Sequence, residues 1–77
     1  MKAYVLVEER ESSTLCFIHG VWKNKNDACL EMANNINNNY LYNEKSRIDI
    51  AKGIAESDPD YFEEKYCNYS VIEFEVK

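Results

Sequence analysis

Two segments, one at each end of the chain, have the period of two that is typical of β-strands, and this feature limits the possible folds most strongly. Successive side chains of a strand point to opposite faces of a sheet, so residues of one face recur at every second position. The first strand is predicted over Ala3 to Glu9 and the last over Tyr69 to Lys77. We expect the last strand to pair with the free edge of the first, so that one sheet contains both ends of the sequence.

A second strand is predicted over Thr14 to Trp22, which is rich in β-branched and aromatic residues. The polar segment Arg10 to Ser13 suits the hairpin turn that would connect the first two strands. Gly20 is expected to mark a bulge or the end of the strand, because glycine weakens a regular strand. The predicted faces of this strand are Leu15, Phe17 and Val21 on one side, and Cys16 and Ile18 on the other.

The middle of the chain has helical periodicity. A first helix is predicted over Asp27 to Asn38 and a second over Asn43 to Glu56, each with apolar residues at helical spacing. A short third helix is predicted over Pro59 to Tyr66, because Asp58 would be its N-cap and Pro59 its first residue. Carboxylates in the opening turns would complement the dipole of this helix.

This order of elements predicts a single α+β domain that spans residues 1–77. We expect a three-stranded antiparallel sheet with strand order 2-1-3, in which two to three helices between strands 2 and 3 pack on one face. A sheet of three strands needs such a helical layer to bury its apolar side.

Both faces of the predicted sheet are apolar, so one of them has to be assigned to the core. We expect Val5 and Val7 to be buried with Ile72, Phe74 and Val76. The opposite face would then be uncovered, although the solvated face of an antiparallel sheet is usually polar. Apolar patches of this kind normally contact a partner. The side chains of this predicted outer face are Tyr69 and the candidate homodimer residues Tyr4, Leu6, Ile18 and Val71.

Negative charge is concentrated in the last third of the sequence. The net charge is −5, and residues 1–55 are balanced, whereas residues 56–76 hold one base, Lys65, among their acids. Such a segment repels nucleic acid and attracts basic protein surfaces. The candidate partner-binding residues are the acids Glu56, Asp58, Asp60, Glu63, Glu64, Glu73 and Glu75, with Tyr61, Tyr66 and Tyr69 as aromatic anchors.

The sequence contains no pattern that predicts catalysis, a metal site or a cofactor. His19 is the sole histidine, and Cys16 would lie on the opposite face of its strand. Cysteines at positions 16, 29 and 67 form no Cys-x-x-Cys pair. The apolar run at the start, Ala3 to Val7, is shorter than a signal peptide or a membrane helix requires. We therefore predict a cytoplasmic protein that is not an enzyme and binds neither nucleic acid nor a membrane directly.

Four segments, at residues 2–8, 20–22, 24–28 and 69–76, resemble a group of small proteins. A strand that ends Gly20-Val21-Trp22 precedes a helix that opens Asn24-Lys25-Asn26-Asp27-Ala28, and an acidic-aromatic strand closes the chain. This order is similar to that of small ββαβ proteins of unknown function from phage and bacterial genomes. The resemblance implies an intracellular protein of a phage or mobile element, and it assigns no catalytic residue.

Two functions are consistent with these patterns. The first is a non-enzymatic acidic module that occupies a basic nucleic-acid-binding site on a host or defence protein by imitating phosphate charge. The alternative is a structural or regulatory homodimer that associates through the apolar face of its sheet.

Overall fold

The computed structural model describes residues 1–10, 16–38, 43–63 and 67–77, the side chain of Cys67 excepted. Within these residues the chain forms an antiparallel sheet of strand order β2-β1-β4-β3 and two helices. The elements in chain order are β1 (Lys2–Arg10), β2 (Cys16–Trp22), α1 (Lys25–Asn37), α2 (Glu44–Ser57), β3 (Tyr61–Glu63) and β4 (Cys67–Glu75).

The predicted α+β class is confirmed, and so is the antiparallel position of the closing strand beside the first. Strand β4 pairs with β1 from Lys2↔Glu75 to Arg10↔Cys67, while β2 pairs with the other edge of β1. The predicted number of strands is wrong, because the sheet has four strands instead of three. The additional strand, β3, pairs with the outer edge of β4.

The short third helix predicted over Pro59 to Tyr66 is wrong where the structure describes it. Asp58 adopts the left-handed conformation (φ 47°, ψ 57°), and its N–H donates to the carbonyl of Ile54 at 3.1 Å. This geometry ends α2, so Asp58 is a C-cap and not the N-cap of a new helix. The aromatic pair Tyr61 and Phe62 then enters the sheet, which suits its high strand propensity. Residues 64–66 of the predicted helix lie outside the described residues.

A bulge interrupts the pairing of β1 with β2. Leu6 lies opposite Gly20 and Val7 opposite Ile18, so His19 is the extra residue of β2. Of the two expectations for Gly20, a bulge or the end of the strand, the structure shows a bulge at the neighbouring residue, and the strand continues to Trp22. The common face predicted for Phe17 and Val21 is wrong, because the extra residue moves them to opposite faces of the sheet. The predicted strand residues Thr14 and Leu15 lie outside the described part of the chain.

One face of the sheet packs against α1, and α2 packs against α1 in turn. Tyr4 and Trp22 lie at the margin of this core, together with side chains of α2 and β3. Gly20 allows the Trp22 ring to approach closely, because a Cβ at position 20 would lie 2.8 Å from Trp22 Cη2. The buried apolar residues are Leu6, Ala28, Cys29, Met32, Ala33, Ile36, Ile54, Tyr69 and Val71.

The predicted assignment of the two sheet faces is inverted. Leu6 is fully buried and Val71 is 7% exposed, whereas Ile72 and Phe74 are 41% and 50% exposed. Both sets of residues are apolar, so alternation alone does not select the buried one. The set that faces α1 contains the larger side chains of β1, which fill the space between a helix and a sheet better than valines do.

Candidate interaction surface

The face of the sheet opposite α1 is uncovered, and we call it the open face. Cross-strand partners share a face, so the pairing register defines its members. Val5 lies between Val21 of β2 and Ile72 of β4, while Val7 lies between Ile18 and Ser70. The remaining members are Ala3 and Glu9 of β1, Cys16 of β2, Asn68 and Phe74 of β4, and Tyr61 and Glu63 of β3.

Large apolar side chains of the open face are accessible to solvent. Ile18 is 71% exposed, Val21 63%, Tyr61 51% and Phe74 50%. With about 150–250 Å² for each side chain when fully exposed, the exposed fractions of these four residues and Ile72 leave roughly 400–700 Å² of surface uncovered. This range overlaps the roughly 300–600 Å² found for the largest apolar patch of a typical monomer.

The residues of the predicted dimer face do not lie together on the outside of the sheet. Leu6 and Val71 are buried beneath α1, and Tyr4 is partly buried against the same core. Ile18 is the one member that lies on the open face. The predicted apolar outer face therefore exists, but it is formed by the set of residues assigned to the core.

The acidic residues predicted to bind a partner are separated in the structure. Glu56 lies near the end of α2 and Glu63 on the open face, both exposed, while Asp58 and Asp60 lie in the connection between α2 and β3. Glu73 lies on the α1 side of the sheet, since it pairs with Tyr4. Glu75 is on that side also, two residues further along the strand. Among the carboxylates that the structure describes, no single surface brings all of the predicted ones together.

Several of these carboxylates are engaged within the chain. Asp60 pairs with Lys25, and this hydrogen bond raises the pKa of the lysine above its ordinary value. Asp58 Oδ1 accepts a hydrogen bond from Asn26 Nδ2 at 2.8 Å. Glu73 lies 3.5 Å from the ammonium of Lys2, and Glu75 lies 3.2 Å from the N-terminal amine. Such pairing reduces the negative field that these groups present to a partner.

The predicted aromatic anchors have different environments. Tyr69 is 3% exposed and belongs to the core, so it is not accessible to a partner in this structure. Tyr61 is half exposed on the open face. The predicted partner residues Glu64 and Tyr66 lie outside the residues that the structure describes.

A buried carboxylate lies on the α1 side of the sheet, where sequence analysis predicted no functional group. Glu8 is 4% exposed; its Oε2 accepts from Arg10 Nε at 3.0 Å, and its Oε1 lies 2.8 Å from His19 Nε2. Burial raises the pKa of Glu8, but the hydrogen bonds with Arg10 and His19 lower it by more, so the pKa lies below its ordinary value. The i, i+2 spacing of Glu8 and Arg10 could have indicated this cluster, whereas the contact with His19 depends on the bulge.

The Glu8 cluster orients the histidine and neutralises a buried charge. The Tyr69 ring lies beside His19, with centroids 6.1 Å apart, and the Arg10 guanidinium lies 4.5 Å from the centroid of the Phe17 ring. General-base catalysis needs a reacting hydroxyl, thiol or water within hydrogen-bond reach of the base. The contacts described around His19 are the Glu8 carboxylate and the Tyr69 ring.

The two cysteines whose side chains are described differ in environment. Cys29 is buried in α1, and its thiol donates to the carbonyl of Pro59 at 3.4 Å, which connects α1 to the segment after α2. Burial raises the pKa of this thiol, and the nearby Asp58 carboxylate adds to the effect. Cys16 is exposed beside Glu9 on the open face. Within the described part of the chain, no group of three or more His, Cys, Asp or Glu residues could hold a metal ion.

Comparison of the chain with protein-family models, with curated proteins and with solved structures finds no match. Neither helix among the described residues combines the length and the apolar character needed to cross a membrane. The open face is thus an exposed apolar surface of the size that the largest patch of a monomer typically has, and such patches are often functional.

Proposed function

We propose that the protein is a non-enzymatic binding module that works through its open face. The observation that supports this function is the group of exposed apolar side chains on β2 and β4, represented by Ile18, Val21 and Phe74, on either side of the half-buried valines of β1. The solvated face of an antiparallel sheet is normally polar, because exposed apolar surface is unfavourable in water. Contact with an apolar partner surface removes that cost and makes binding favourable.

Lysine substitutions on the open face test this function. Ile18→Lys and Phe74→Lys place a charge on the apolar surface and are expected to abolish capture of any partner, including a second tagged copy, in cells that make the protein. Ile48→Lys is the matched control, because Ile48 is 49% exposed but lies on α2. Circular dichroism verifies that each variant is folded. The proposal fails if the open-face variants and the control capture the same proteins as the unmodified chain.

A second candidate is the acidic module that blocks a basic nucleic-acid-binding site on another protein. It is favoured by Glu56 and Glu63, for which the described residues provide no ion pair, and it is weakened by the internal pairing of Asp60, Glu73 and Glu75. The phage or mobile-element setting stays a prediction from the resemblance described above.

The substitution Glu56→Lys separates the two candidate functions, because Glu56 lies on α2 and not on the open face. An acidic module should lose affinity for its basic partner when this charge is reversed. A module that binds through the open face should keep its partner. Loss of capture by Glu56→Lys with no effect of Ile18→Lys would favour the acidic function.

A further inference from the structure

We infer that the partner of the open face is a second copy of this chain, packed sheet to sheet about a two-fold axis that runs across the strands. This inference rests on the proposed function, and it adds the identity and the orientation of the partner. Two observations support it: the size of the apolar surface and the distribution of unpaired charge at its ends.

The open face can supply the apolar part of a homodimer interface. A stable protein interface buries about 800 Å² per partner, and the exposed apolar groups here would supply roughly 400–700 Å² of that area per copy. Interfaces of homodimers are more apolar than those of transient complexes. Two sheets pack face to face at about 10 Å with interdigitated side chains, which the rows around Val5 and Val7 can provide.

Opposite charges lie at opposite ends of the open face. Glu9 and Glu63 flank Asn68 at the end where β1 finishes. Lys23 follows β2, so it lies at the end where β1 begins. None of these three exposed side chains has an ion pair among the described residues.

This distribution is self-complementary for one orientation of the second copy. A two-fold axis parallel to the strands would place the acidic end of one copy on the acidic end of the other. An axis across the strands reverses the second sheet, so each acidic end meets a basic end. Glu9 then lies one strand spacing, about 4.8 Å, from the column of the partner's Lys23. A contact that each copy makes reciprocally is the requirement of a closed two-fold dimer.

Sedimentation velocity and light scattering of the full chain, over a concentration series up to about 1 mM, test the inference. The unmodified chain is expected to dimerise, and Ile18→Lys to be monomeric. Phe74→Lys provides a second open-face variant if Ile18→Lys does not fold. Glu56→Lys, a charge reversal away from the interface, is the control and should dimerise as the unmodified chain does.

Charge exchange tests the orientation. The variant Glu9→Lys is expected to weaken the dimer on the order of tenfold at low salt, because it places like charges near each other at both symmetric contacts with Lys23. Adding Lys23→Glu should restore the affinity. If Glu9→Lys has no effect, or if Lys23→Glu does not rescue it, the proposed orientation is wrong.

The outcomes separate this inference from the function on which it rests. If the chain stays monomeric at every concentration but Ile18→Lys abolishes capture of another protein, the partner is not a second copy. That result overturns this inference and supports the proposed binding module. A chain that dimerises equally well with Ile18→Lys and Phe74→Lys uses another surface, which overturns the inference. Monomers whose captured proteins do not change with any open-face variant overturn both proposals.

Discussion

Replacing Glu8 with glutamine removes the buried negative charge while it keeps the shape of the side chain. In the native protein, the Glu8 carboxylate is hydrogen bonded to Arg10 and lies 2.8 Å from His19. Hydrogen bonds to a charged group contribute about 1.5–3 kcal/mol, whereas the neutral glutamine amide provides one weaker acceptor oxygen in place of the carboxylate. The Arg10 side chain is 55% exposed, so solvent screens the contribution of the Arg10 ion pair to stability. The His19 side chain is 22% exposed, so its interaction with Glu8 is screened less. We therefore expect Glu8→Gln to lower the free energy of unfolding by about 2 kcal/mol at pH 7.

The pH dependence of this effect has a definite sign. The pKa of Glu8 in the folded state lies below its ordinary value of 4.5. A carboxylate with a depressed pKa contributes stability that is present above the unfolded-state pKa and is lost as the pH falls through the folded-state pKa. The unmodified protein should thus lose more stability than Glu8→Gln as the pH falls below 4.5. The two free energies of unfolding should converge in acid.

Urea unfolding followed by circular dichroism, at neutral pH and at several acidic values, measures both effects. A loss of 2 kcal/mol corresponds to a fall in Tm of roughly 8–16 °C for a chain of this size. Glu56→Gln is the control, because this exposed carboxylate should change stability by no more than about 0.5 kcal/mol. If Glu8→Gln is as stable as the unmodified protein at pH 7, or if the difference between them is independent of pH, the cluster does not stabilise the fold as argued.

Two pairs of substitutions test the packing by thermal unfolding. Gly53→Ala should stabilise the protein by about 0.5–1 kcal/mol, because a Cβ at this helical position meets no atom within 4 Å. Gly20→Ala should destabilise it, since its Cβ would lie 2.8 Å from the Trp22 ring; a stabilising effect would contradict the close approach. Leu6→Ala should cost about 2–5 kcal/mol, and Val5→Ala on the open face about 1 kcal/mol or less. A larger cost at Val5 than at Leu6 would show that the two faces are assigned incorrectly.

The main elements could be predicted from the sequence because local patterns determine them. The predicted helices, Asp27 to Asn38 and Asn43 to Glu56, differ from the observed α1 and α2 by one or two residues at each end. Asn43 is the N-cap of α2, and its side chain accepts from the N–H of Ser46 at 2.8 Å. The antiparallel pairing of the first and last strands also follows from the order of the elements.

Strand β3 could not be predicted in the same way, because its local signal is ambiguous. An Asp-Pro pair is typical of the start of a helix, but here Asp58 ends α2 in the left-handed conformation. The outcome depends on pairing between β3 and β4, in which Tyr61 lies opposite Ser70. These strands are only three residues apart, but residues 64–66 contain none of the Gly, Asn or Asp residues that mark a hairpin turn in a sequence. The contact of His19 with Glu8 depends on the position of the bulge, which the sequence near Gly20 does not specify.

The inverted faces of the sheet have a further consequence for function. Val5 and Val7 alternate with Tyr4 and Leu6, so either choice of buried face leaves apolar residues in solvent. The helices pack on one side of the sheet, so they cover one of its two faces and leave the other uncovered. The expectation of an uncovered apolar face is therefore independent of the error in assigning it. The choice of open face does determine which charged residues lie at the ends of that face. The open face carries Glu9 and Glu63, for which no ion pair is described. Glu73 and Glu75 lie on the other side of the sheet, where they pair with Lys2 and the N-terminal amine. Carboxylates without an internal counter-charge are the ones available to a partner, which is why the charge pattern favours association through the open face.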